Sequence, residues 1–228
     1  MGLLKALPAT LQFEYNGRHY RLDLFLYVLR HTFWRPREVL VYYAALLALA
    51  MDIRRWESTV PVEAVRQCIK ATTTKVIESE FIAEFRSTVV NIEDVILAFR
   101  KRKPLINYSE LSEILRALTF RLASGPLGTE GTFEKARFLY DIGFLGIRAD
   151  KRIMDLVGLK HEHVFYFNEG SEIWSGFDEA DVKEWHFVIH PIFSEYLRLD
   201  CAGQELTLVY SWDYLRSGDS FMSSNPEF

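Results

Sequence analysis

Arg35 and Arg37 flank Pro36, and after Glu38 come thirteen consecutive apolar residues, 39–51. The proline suits the first turn of a helix, where its missing N–H has no partner to lose. Both guanidinium groups then stand at a helix N-terminus, the end whose dipole disfavours cations. They call for an anion. A planar guanidinium grips a carboxylate or a phosphate through two parallel hydrogen bonds, so two chemistries stay open. One is an internal ion pair with Glu38, Asp23 or Glu57; the other is a bound phosphate-bearing ligand.

A second cationic group is Arg100, Lys101, Arg102 and Lys103, closed by Pro104. Such a run serves nucleic-acid phosphates or an acidic partner surface, and a solvated helix end explains it equally well. Lys135 and Arg137 extend the candidate contact surface, but Glu134 and Asp141 stand on the same segment.

Catalytic signatures are missing. Gly125, Gly128 and Gly131 lack the Gly-Lys-Ser/Thr ending of a phosphate loop, and GxSxG, HExxH and kinase-type motifs do not occur. The expectation is a non-enzyme with no resident cofactor. Four histidines raise a metal reading: His161, His163, His186 and His190. Four residues along a strand separate His186 from His190 by roughly 13 Å, whereas zinc holds each ligand at about 2.1 Å. No metal site is expected, and His190 before Pro191 reads as a strand-end residue bonding locally.

A core must carry these groups. With 49% hydrophobic and 25% charged residues the chain can build one, which excludes wholesale disorder. The 14% aromatic share leaves apolar surface to bury against something else. Cys68 and Cys201 show no CxxC spacing, and residues 2–10 lack the apolar block of a signal peptide. A reduced, cytoplasmic setting is expected. Residues 39–51 make about 20 Å of helix, too short for a hydrocarbon layer of about 30 Å, so they read as an almost wholly buried core helix.

Charge divides the chain. Residues 1–103 carry 16 Lys/Arg against 11 Asp/Glu, and residues 104–228 carry 11 against 20. Such polarity marks two bodies with different partners, with the boundary at Pro104 and a tail over 201–228.

Residues 11–15 and 18–22 alternate around Asn16-Gly17, a two-residue hairpin signal. Helices are expected over 23–32, from Pro36 to about residue 54, over 62–71, and over 76–103 with a break near 87–91. Past Pro104, Ser109 is expected to cap one helix and Thr132 another, separated by a glycine-rich loop. Strands follow at 145–148, 164–167 and 185–189, the last two pairing as a hairpin around a polar loop. Residues 191–199 form a closing helix, and 205–210 one further strand. The fold class is mainly α with small β: a helical lid-like bundle followed by a winged helix-turn-helix. Its wing, residues 160–183, holds six acidic residues against two lysines, which disfavours insertion into a DNA groove.

Three blocks carry a family resemblance: residues 25–38 (FLYVLRHTFWRPRE), 138–147 (FLYDIGFLGI) and 187–193 (FVIHPIF). Together the chain resembles the C-terminal region of bacterial P-loop ATPases of STAND or AAA-like type, where a helical lid precedes a winged helix. The resemblance spans most of residues 10–200. It implies that Arg35 and Arg37 approach a nucleotide from the lid. The nucleotide-binding core is missing from this sequence, which leaves either a piece of a longer ATPase or a stand-alone relative whose arginines have another task; ATP enters only in complex with a separate ATPase core. A protein partner is expected, either that core or a downstream effector, with a DNA-binding winged-helix regulator as the alternative.

Overall fold

The computed structural model describes residues 7–15, 18–33, 35–53, 60–126, 131–148, 164–165, 174 and 178–200. It is mainly helical with a small sheet. Strands β1 (Thr10–Tyr15) and β2 (Arg18–Asp23) form the hairpin, in the register Tyr15↔Arg18 that a two-residue connection dictates. Asp23 ends β2 and caps helix α1 (Leu24–Leu29), its carboxylate accepting from the Phe25 N–H at 2.8 Å. Helix α2 (Pro36–Ile53) starts at the proline. Its expected near-complete burial does not hold: Tyr42, Leu46 and Ala50 are buried, while Leu40 and Met51 are 69% and 60% exposed. Apolar composition shows that a helix can be buried, but only the number of packed neighbours decides how many of its faces are.

The inner face of α2 packs on α3 (Val62–Val76). Thr73 gives its hydroxyl proton to the Ile69 carbonyl at 2.8 Å, so the Tyr42 hydroxyl is the donor in their 2.7 Å bond. The helix does not stop near residue 71. It runs on through a π-helical stretch (Ile77–Ile82) into α4 (Ala83–Arg86), with right-handed torsions at each joint. The break at 87–91 is present, and α5 (Ile92–Leu97) follows. Residues 100–103 are not helical: α5 has ended, and Lys101 takes a left-handed φ of 60°.

Strand β3 (Leu105–Asn107) begins straight after Pro104, an element the pattern of the sequence hides in three residues. Helix α6 (Tyr108–Arg116) is capped by Asn107 rather than Ser109. The Asn107 side chain accepts from the Glu110 N–H at 2.9 Å, and Glu110 accepts back from the Asn107 N–H at 3.1 Å. The glycine-rich stretch contains a small ladder, β4 (Arg121–Leu122) with β5 (Gly125–Pro126). Helix α7 (Thr132–Asp141) starts one residue after its cap, which is Gly131 and not Thr132.

Strand β6 (Leu145–Arg148) forms where expected. Strand β7 (Val164–Phe165) pairs with β6, whereas β8 (His186–Ile189) lies between β6 and β3. The expected hairpin of β7 with β8 is therefore replaced by the order β3-β8-β6-β7, antiparallel throughout. Strand β6 has two edges, and β8 and β7 take one each. Between β7 and β8 stands α8 (Glu179–Val182), capped by Asp178. A 3₁₀ turn (Pro191–Phe193) and α9 (Ser194–Leu197) close the described chain. The strand expected at 205–210 lies outside the described residues.

Helices and sheet share one apolar core across the boundary at Pro104. Phe33, in the turn between α1 and α2, is partly buried and packs against this core. The ring stacks on Phe81 of the π stretch at 5.0 Å and lies against His190 at 4.8 Å and Phe193 at 6.0 Å. Phe193 reaches both Phe81 (5.0 Å) and Phe144 (4.8 Å). Gly143 ends α7 with φ +79°, where a Cβ would stand 3.3 Å from the Phe33 ring.

His190 accepts from the Ile192 N–H at 3.2 Å, the local bond expected of it. Full burial, with His31 adding repulsion, pushes its pKa down to about 3 from the usual 6.5. The unfolded chain thus binds this proton more readily, so the stability contribution is complete above pH 6.5 and is lost as pH falls towards 3. Urea unfolding of the native chain should weaken over that window by up to about 1.4 kcal/mol per pH unit. The loss should flatten in His190→Asn, which keeps the acceptor.

Candidate functional site

The turn that buries Phe33 aims the two arginines outward. Arg35 grips Glu84 with both guanidinium nitrogens, the second contact at 3.1 Å, and its Nε lies 4.0 Å from Glu38. Arg37 pairs with Glu80 at 2.9 Å. Glu80 and Glu84 stand four residues apart on the continuation of α3, so one face presents two carboxylates to two guanidinium groups. Of the three partners expected from sequence, Glu38 takes part, Asp23 caps α1, and Glu57 lies outside the described residues.

Glu38 is buried beneath this pair. Its carboxylate accepts from the Phe33 N–H at 2.6 Å, which ties the turn to the first helical residues. Burial pushes its pKa up from 4.5; the Phe33 N–H and Arg35 oppose that shift, and Glu80 adds to it. Arg35 is held more firmly protonated, chiefly by its hydrogen bond to Glu84. The Arg35 guanidinium also lies 5.9 Å from the Phe33 ring centre. Both arginines are thus satisfied within the chain, by half-exposed pairs of the kind worth about 0–1 kcal/mol each.

The other predicted contact residues are scattered. Lys135 points inward and donates to the carbonyls of Leu115 (3.0 Å) and Leu118 (2.6 Å), closing the C-terminal end of α6. Arg137 lies 3.8 Å from Asp141 one turn on, with Glu134 exposed on the same helix. Arg100, Lys101, Arg102 and Lys103 are all exposed. His186 is exposed and His190 buried; His161 and His163 lie outside the described residues. No group of three metal-ligating side chains occurs among the described residues, and no described helix is long and apolar enough to cross a membrane.

Sequence reasoning missed Glu80 and Glu84. Their spacing shows that they share a helix face, but nothing in it points to a partner more than forty residues away. The chain matches no protein-family model, no curated protein and no solved structure.

Glu38→Gln tests the burial of this carboxylate, since the amide oxygen still accepts from Phe33. A raised folded-state pKa means the native chain holds that proton more tightly than the unfolded one. The stability of the native chain relative to Glu38→Gln should be highest below pH 4.5 and should fall as pH rises through the folded-state pKa. Paired urea titrations at pH 4.5 and pH 7.5 measure the difference; a relative gain on going to pH 7.5 contradicts the assignment.

Proposed function

We propose that the chain is a non-enzymatic interaction module, a helical lid-like body joined to a winged helix, that docks onto a protein partner. The observation that carries this reading is the uncovered face of α2. Leu40, Ala44, Ala48 and Met51 recur at helical spacing and are all exposed. No charge interrupts residues 39–51. A contiguous apolar stripe of this kind, rimmed at one end by Arg35 and Arg37, is the mark of a protein contact.

The winged-helix reading draws support from the order of elements. Helix α5, strand β3, helices α6 and α7, then β6 and β8 occur in that order, with the β4–β5 ladder between α6 and α7 and with β7 and α8 between β6 and β8; β8 lies between β3 and β6 in the sheet. Helix α7 then takes the place of a recognition helix, yet its exposed charges are Glu134, Arg137 and Asp141, with Lys135 turned inward. That surface is poorly suited to reading base edges beside a polyanion. The resemblance makes a P-loop ATPase core the favoured partner, with Arg35 and Arg37 released from their glutamates towards its nucleotide.

Calorimetric titration of ATP into the chain alone is expected to give no binding heat. A tight ATP complex, abolished by Arg37→Ala, would overturn the reading. With the folded chain as bait, a P-loop ATPase should be recovered from cells of its source and lost with Leu40→Glu, which alters a residue already 69% exposed. Recovery unaffected by Leu40→Glu would rule out α2 as the docking face.

A further inference from the structure

Two distant segments meet in a cationic knuckle. The Lys101 N–H donates to the Leu197 carbonyl at 3.0 Å, and the Asp200 N–H donates to the Arg102 carbonyl at 2.9 Å. This stitching brings Arg198 beside Arg100, Lys101, Arg102 and Lys103, and all five are exposed. None of the five has an ion pair among the described residues, in contrast to Arg35, Arg37, Lys70, Arg86, Arg121 and Arg137. The acid of α9, Glu195, is taken up by Lys70 at 2.8 Å, and Asp200, held to the Arg102 carbonyl through its N–H, sets one exposed acid at the edge of the cluster. Other described cations without a partner, Lys75, Arg116 and Lys183, come one at a time along the chain.

The backbone adds a second, independent observation. Lys101 and Arg198 are the two non-glycine residues with positive φ among the described residues, at 60° and 50°. Arg198 closes α9 in the left-handed position that usually goes to glycine. Two positions where glycine would relieve strain both carry long cations instead.

We infer that this knuckle binds the phosphate backbone of duplex nucleic acid without reading its sequence. Phosphate neutralisation needs cations and little else. The knuckle sets five cations against one acid, Asp200, and Phe99, Pro104, Leu197 and Leu199 are buried, so among the described residues no exposed apolar anchor stands among the charges, unlike the centre of a protein-protein hot spot. A duplex presents closely spaced phosphates along a narrow line that five neighbouring cations can meet. The inference is independent of docking through α2 and leaves α7 unused.

Fluorescence anisotropy with a random-sequence 20-base-pair duplex tests it. Affinity should fall about 10²–10³-fold between 50 and 200 mM salt, the dependence of four to five phosphate contacts, and should not change with duplex sequence. Lys101→Gly with Arg198→Gly should reduce the log–log salt slope by about 2 while holding or raising Tm, which separates loss of contact from loss of fold. Arg116→Gln should leave the slope unchanged. Absence of binding at 50 mM salt overturns the inference, as does an unchanged slope in the double glycine variant. Capture by vesicles of anionic lipid in place of the duplex overturns it as well.

Discussion

The position of Phe33 is the constraint on which the rest of the structure depends. Its N–H is held by the buried Glu38 carboxylate, and its ring is held by Phe81, His190 and Phe193. One residue in a tight turn thereby joins the start of α2, the π stretch after α3 and the exit from β8. Each aromatic contact adds about 0.5–1.5 kcal/mol beyond the area it buries. Gly143 is fitted to the same ring, since both its torsion and the space beside it suit no larger residue. The helical and sheet halves in this way both meet one ring.

That arrangement also orders the charges. Turning Phe33 inward forces Arg35 and Arg37 outward at the helix mouth, where the dipole of α2 opposes them. The unfavourable placement is offset by Glu80 and Glu84, which the π stretch carries to the same edge. A π turn inserts an extra residue into the helical repeat and is found often at functional places. Here Phe81 and Phe85 face the aromatic junction while Glu80 and Glu84 face the arginines. The proposed docking face of α2 and the cationic knuckle of residues 100–103 with Arg198 are separate features of the same body, one apolar and one electrostatic.

Local elements were legible in the sequence wherever the signal was local. The Asn16-Gly17 signal predicted the hairpin of β1 and β2, Pro36 marked the start of α2, and the strand expected at 145–148 formed there. What stayed hidden depended on contacts between distant segments. A run of thirteen apolar residues looks buried on every side until the packing of α2 shows one face uncovered. The pairing of β7 with β6 depends on which edge of β6 is already occupied by β8, and no periodicity encodes that choice. Ser109 and Thr132 are good capping residues, but Asn107 and Gly131 stand where the chain turns. The anionic need of Arg35 and Arg37 was readable from the helix dipole; the identity of the anions was not, because Glu80 and Glu84 reach them only through tertiary packing. Arg198 escaped for the same reason, its company with residues 100–103 being created by two backbone hydrogen bonds.

Phe33 makes the helical and sheet halves one cooperative unit. Native-state hydrogen exchange read amide by amide tests it most directly. The amides of Ile69 and Val76 in α3 and those of Ile147 and Val188 in the sheet should exchange through one opening of equal free energy, and Phe33→Ala should split this into two. Exchange of β6 and β8 in the native chain at a lower free energy than α3 would contradict it, and would show two independently stable bodies joined at Pro104.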